Sequence, residues 1–235
     1  MRTLLALVWL SLALPLWSGP LAEKAATFDR VIQQKHCPEG LVFDVHLDDQ
    51  GNFRKIRGGG DSLIWSGAYA ASQVYRYRVT KDPLALQNVE KTLWAFHHLQ
   101  AMSGSPGFVG RSFVDPAWID HVGNRLPGVG TYSKRLFQPS SSRDQYTGLF
   151  LAYALAWPII TDPALRATVR EDVRAIGRSL VENRLAMIGR FPTGEERAFN
   201  VDPCYIYQDR LTREEWEKVD DFPANVLAKL CPYDE

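Results

Sequence analysis

The chain has 235 residues, with 27 Lys and Arg against 27 Asp and Glu, so its formal charge is zero. That balance argues against a nucleic-acid binder, which neutralises phosphates with a clear excess of cations, and against a polybasic membrane-surface protein. Apolar residues at 46% and charged residues at 23% argue against long disorder, and the length suits one domain with or without an appendage.

Arg2 precedes an apolar run of 14 residues, Leu4–Trp17. A membrane-spanning helix needs about 20. Pro15, Ser18, Gly19 and Ala22 follow the pattern that approaches a signal-peptidase site. Residues 1–22 therefore read as a cleaved secretory signal, and residues 23–235 as a single domain. Gly148–Ile160 is too short to span and reads as a buried helix, so no stable membrane span is expected after signal removal. Export permits disulfides. Three cysteines, Cys37, Cys204 and Cys231, allow one bridge in any of three pairings, contributing about 2–4 kcal/mol, or three reduced thiols. No Cys-His cluster has metal-ligand spacing, and there is no phosphate loop or dinucleotide fingerprint, so no cofactor is expected.

Leu41, Phe43, Val45 and Leu47 alternate with polar neighbours, and Asp48–Asn52 is turn-forming. This predicts a β-hairpin over about 41–57. The period then becomes helical. Asp61 and Ser62 supply a cap, and Leu63, Ile64, Gly67, Ala68, Ala71, Val74 and Tyr75 form a packed stripe. Asp82-Pro83 ends that helix and starts a second, which runs to about Met102. His97 and His98 lie within this second helix, where adjacent positions do not share a face. They are expected in core or surface roles.

The same grammar returns 81 residues later. Trp65-Ser66-Gly67 matches Tyr146-Thr147-Gly148, and Asp162-Pro163 repeats the Asp-Pro turn. The result is two helical hairpins, about 61–103 and 142–188, neither able to bury its apolar face alone. Stacked with parallel first helices, they form part of an α/α toroid or solenoid. The stretch Gly104–Ser142, rich in Gly and Pro, is expected to be irregular and to lie on the face where the first helices begin. Residues 189–210 read as loop, and Leu211–Lys218 and Pro223–Leu230 as short helices within a tail over 189–235.

Gly59–Gly67 with Tyr69, together with Ser142–Gly148, resemble the six-hairpin glycosidase-like superfamily. The resemblance covers roughly residues 58–190. It implies a mainly α fold made of (α/α) toroid hairpins, with a site in the bowl at the N-terminal ends of the inner helices. It also implies a glycoside, uronide or other oligo- or polysaccharide as partner. Acidic residues act as general acid or base there, and the positions that match are Asp61 and Asp144. Two hairpins stand where the superfamily has six, so the chain reads as a truncated copy, a partial toroid or an oligomer that completes itself.

The residues themselves are compatible with that chemistry. Glycoside hydrolysis needs two carboxyl groups about 5–5.5 Å apart for retention or about 6.5–9.5 Å apart for inversion. Asp61 and Asp144 both sit at the start of first helices, where each could equally cap its helix. Arg143 and Arg111 could bind a substrate carboxylate or form ion pairs. Gln145 and Tyr146 could hydrogen-bond hydroxyls. Trp65, Tyr69 and Tyr146 could line a sugar site or pack between hairpins. The competing expectation is a noncatalytic binding or scaffold protein on the same partial stack.

Overall fold

A computed structural model describes residues 19–183 and 185–199. The signal reading falls outside these residues as far as position 18. So do Cys204, Cys231 and the helices expected at Leu211–Lys218 and Pro223–Leu230. The described chain is mainly α, about half helical, with five α-helices and three small antiparallel sheets. None of these helices is long and apolar enough to cross a membrane.

The first helix, α1 (Pro20–Val31), continues into a wider π turn, Ile32–His36. None of the α1 residues is buried. Polar contacts dock it instead. The Asp29 carboxylate accepts from the Tyr69 hydroxyl at 2.5 Å and from Gln73 Nε2 at 2.8 Å, and it pairs with Arg76. Next come β1 (Asp44–Leu47) and β2 (Phe53–Gly58), the expected hairpin. Asp48 Oδ1 closes its turn by accepting from the backbone N–H groups of Gln50 and Asn52. The strand starts three residues later than the alternation suggested, although Leu41 and Phe43 are buried as that alternation required.

The two helical hairpins are α2 (Ser62–Thr80) with α3 (Pro83–Met102), and α4 (Arg143–Ala156) with α5 (Pro163–Glu182). Their Asp-Pro starts work locally. Asp82 accepts from the N–H of Leu84 at 2.9 Å, and Asp162 from that of Ala164 at 2.8 Å. Pro at the first helical position loses no hydrogen bond that the helix could have made. Lys81, in the left-handed region at φ 56°, turns the chain between α2 and α3.

Helices α2 and α4 lie side by side and parallel. Near their N-termini the N–H of Ile64 donates to Gln145 Oε1, and near their C-termini Arg78 donates to the carbonyl of Leu155. Between these points the helices touch backbone to backbone. A Cβ on Gly67 would lie against the Gly148 carbonyl and 2.7 Å from its Cα, and one on Gly148 would lie 2.5 Å from Ile64 Cα. The two glycines that marked the repeat are therefore the contact that joins its copies. Outer helices α3 and α5 close the other side. The core between the layers holds Leu63, Val74, Leu93, Phe96, Leu99, Leu149, Leu165 and Ile176, all fully buried. Each such side chain contributes about 1.5–3 kcal/mol of transfer free energy.

The copies run in step by burial at an offset of 82, one residue from the 81 of the sequence match. Trp65 and Ser72 are exposed on α2, as are Thr147 and Ala154 on α4, and Ser66, Gly67, Ala70 and Ala71 are buried as are Gly148, Leu149, Ala152 and Tyr153. One residue is about 100° of helical rotation, so Trp65 faces solvent while its sequence match Tyr146 faces the core.

The stretch expected to be irregular has little regular structure, but its two ends are packed inside. Its strands β3 (Phe113–Val114), β4 (Leu126–Pro127) and β5 (Leu136–Phe137) form a sheet in the order β3-β5-β4. Phe108, Val109, Phe113, Val114 and Phe137 join the core. Gly107, at φ 79°, lets the segment press on α5, where a Cβ would meet that of Ser179 at 2.6 Å. The loop expected from 189 is instead the second half of a hairpin, β6 (Met187–Arg190) with β7 (Glu196–Phe199). Buried Met187 and Ile188 and the ring of Phe199, 5.7 Å from Phe108, give it a packing reason. Cys37 is a buried free thiol whose pKa is pushed up by burial.

Candidate functional site

The parallel alignment of α2 and α4 brings their N-termini to one rim, where the loop residue Arg111 spans them. Arg111 donates to the Gly60 carbonyl at 2.7 Å, lies 3.3 Å from Asp61 Oδ1, and donates to Ser142 Oγ at 3.1 Å. Ser142 Oγ donates in turn to Asp144 Oδ1. Gln145, fully buried, donates from Nε2 to Asp61 Oδ1 at 3.2 Å while its Oε1 takes the N–H of Ile64. The Arg111 guanidinium thus joins Asp61 to Ser142, and the Ser142 hydroxyl carries the link on to Asp144, across two hairpins.

Local structure explains why these side chains are available. Asp61 and Ser142 occupy the N-cap positions of α2 and α4, yet neither side chain caps a backbone N–H of its helix. Their oxygens are turned to Arg111 and to each other's neighbours. Asp61 remains largely exposed, and its Oδ2 takes none of the contacts above. Buried hydroxyls flank the cluster. Ser112 Oγ and Ser141 Oγ have no hydrogen-bond partner among the described residues. A carboxylate with one open oxygen, beside a guanidinium, can accept a proton or hydroxyl hydrogens or hold a polar ligand.

The other expected site residues divide. Trp65 is 60% exposed, one helical turn past Asp61, with its indole open to a ligand. Arg143 heads α4 beside Asp144 and has an interaction partner of its own. Tyr146 is buried, and its hydroxyl accepts from the N–H of Val109 at 3.0 Å, so it anchors the long loop. Burial raises its pKa. Tyr69 is also buried. Its hydroxyl serves Asp29, Gln33 and Asn88 on the α1 side, away from the rim. The sequence leaves both tyrosines between a sugar site and packing between hairpins. Packing and α1 docking take them because their helix faces turn inward.

A second polar cluster joins α3, α4 and α5. His97 Nδ1 bonds both oxygens of Asp172, at 3.0 and 3.2 Å. Asp172 is only 4% exposed and also receives Gln100 Nε2 and the Tyr153 hydroxyl, each at 3.4 Å. This hydrogen bond raises the His97 pKa against the opposing effect of burial. His98, stacked near Trp94 and bonded to the Tyr132 hydroxyl at 2.8 Å, is lowered by burial and by His97. The sequence did carry a signal for it. Asp172 sits on the stripe Leu165, Val169, Asp172, Ile176, and a carboxylate on an apolar helical stripe must find partners. No group of three or more His, Cys, Asp or Glu among the described residues could hold a metal ion.

Against family models, curated proteins and solved structures, the chain finds no match.

Proposed function

We propose that the chain is a secreted or periplasmic carbohydrate-active protein built on a partial (α/α) toroid of six-hairpin glycosidase-like type. Its reaction is hydrolysis of a glycoside or uronide by carboxylate acid/base chemistry. Asp61 and Asp144 are the carboxylates, Arg111 and Arg143 recognise an acidic group, and Trp65 stacks on a sugar ring. Gln145 orients Asp61. The observation that carries this reading is the meeting of Asp61 and Asp144 at one rim, linked through Arg111 and Ser142. Two helices whose carboxylates only capped their own N-termini would give no such site. Trp65 adds an apolar platform one turn away, and aromatic faces suit the C–H face of a pyranose.

The second reading is a noncatalytic sugar-binding or scaffold protein. It is favoured by the exposure of Asp61 and by the engagement of Arg111 with three groups at once.

One experiment separates these readings. Thermal-shift screening with acidic and neutral oligosaccharides is run on the wild type, Asp61→Asn and Asp144→Asn, with reducing-end release measured on the same sugars. A hydrolase shows a ligand shift and release that either substitution abolishes. Binding without release in the wild type selects the noncatalytic reading. No response to any sugar ends both sugar-based readings.

A further inference from the structure

Helix α5 carries arginine at every fourth position: Arg166, Arg170, Arg174 and Arg178. Four residues advance an α-helix by about 6 Å and a little over one turn, so these side chains form one slowly winding stripe about 18 Å long. The stripe lies away from the side where Leu165, Val169, Asp172 and Ile176 are buried. Arg170, Arg174 and Arg178 are exposed, and Arg166 is half-buried. Exposed Val173, Gly177 and Val181 fill the surface between and beside them. The carboxylates of α5 leave the row uninterrupted. Asp172 turns inward to His97, Glu171 pairs with Arg174 at 2.8 Å, and Glu182 lies beyond the last arginine. Like charges at i and i+4 repel and destabilise a helix. The protein's own groups answer only part of that repulsion. Arg166 sits 4.1 Å over the Trp157 ring and donates to the carbonyls of Trp157 and Ile160, and Arg170 reaches the same ring at 5.7 Å. Arg178 has no polar partner among the described residues.

We infer that this stripe binds a linear acidic polysaccharide, a chain with a uronate carboxylate on its successive sugar units. Charge complementarity and spacing select it. Guanidinium groups take carboxylates through paired hydrogen bonds, and a linear row of cations fits a linear row of anions. The step of about 6 Å between arginines is close to the length of one pyranose unit. Phosphates of a DNA strand repeat at about 3.4 Å along the duplex axis, little more than half that step. The choice of a sugar polymer rests on the carbohydrate reading above, but the stripe is separate from the rim. Arg166 stands at the far end of the stack, beside the C-terminus of α4. Toward the other end, Gly107 of the long loop packs on Ala175 and Ser179, and that loop continues to Arg111. A polymer lying along the stripe is therefore led toward the rim.

The test titrates the full-length chain with an oligogalacturonate long enough to span Arg166–Arg178, and with its methyl ester as the neutral control. The stripe variant is Arg170→Gln/Arg174→Gln/Arg178→Gln. A second variant, Arg54→Gln/Arg57→Gln/Lys134→Gln, loses the same charge from exposed positions elsewhere. The stripe variant is expected to lose about tenfold in affinity, the size of three exposed ion pairs, with the second variant close to wild type and the ester unbound. Phenylglyoxal modification gives a reading independent of any variant's folding. The oligomer should shield Arg170, Arg174 and Arg178 in the wild type and in Arg111→Ala, while Arg54 and Arg57 stay reactive. No binding by the wild type, equal losses in both triple variants, or unshielded stripe arginines would overturn the inference. Binding abolished by Arg111→Ala alone would place the oligomer at the rim, which sinks the stripe and spares the proposed function. Stripe binding without sugar release upholds the stripe and fails the hydrolase reading. Tighter binding of duplex DNA or phosphatidylglycerol vesicles than of the oligomer, lost in the stripe variant, would overturn the sugar assignment in favour of that polyanion.

Discussion

Replacing Gly67 by Ala tests the joint on which the rim depends. The added Cβ would lie 2.7 Å from Gly148 Cα and against the Gly148 carbonyl. Carbon atoms pack at about 3.5–4.0 Å, so the helices must separate by about 1 Å. The obstacle is backbone and cannot rotate away, which places the overpacking cost near about 3 kcal/mol. Ala regains about 1 kcal/mol of helix propensity over Gly, leaving a net loss of about 2 kcal/mol. For a chain of this size that is a fall in Tm of about 4–8 °C. Gly177 supplies the internal control. It lies in the interior of α5, is exposed, and a Cβ there meets nothing within 4 Å. Gly177→Ala should therefore raise stability by about 0.5–1 kcal/mol. Thermal and urea unfolding of the two variants must move in opposite directions. If Gly67→Ala is neutral or stabilising, the close packing of α2 on α4 is wrong, and the shared rim of Asp61 and Asp144 is wrong with it.

The second polar cluster should register in pH-dependent unfolding. The pKa of His97 is raised in the folded protein, so its stabilising charge is fully present below the unfolded value of about 6.5 and is lost as pH rises through the folded value. Melting curves should show the gap between wild type and His97→Gln closing as the solution is made more alkaline; a gap that widens would reverse the assignment. Asp172→Ala leaves His97, Gln100 and Tyr153 without their shared acceptor, at a cost of about 1–3 kcal/mol by urea titration. Arg111→Ala removes a pair whose Asp61 partner is solvent-exposed, so its effect on unfolding should stay under about 1 kcal/mol while any sugar-induced thermal shift disappears. In Asp29→Ala, helix α1 loses its acceptor for Tyr69, Gln73 and Arg76; amide exchange across residues 20–31 should rise sharply while that of α3 stays slow.

What was legible in the sequence is what local chemistry enforces. Asp82-Pro83 and Asp162-Pro163 each start a helix through an aspartate that caps the N–H two residues on, and such a rule needs no tertiary information. The β-hairpin turn is likewise closed by Asp48 within its own five residues. The sequence also placed Asp61 and Asp144 at the starts of two first helices. Only packing decided that these starts adjoin, because the contact runs through the bare backbones of Gly67 and Gly148. Only packing set the angular register, where a shift of one residue put Trp65 in solvent and Tyr146 in the core. Helix α1 is held by the side chain of Asp29 rather than by an apolar stripe. His97 and Asp172, 75 residues apart, meet because α3 and α5 pack against each other. Periodicity and caps are set by neighbours along the chain, but which faces meet depends on steric fit between distant segments, and that fit exists only once the helices are assembled.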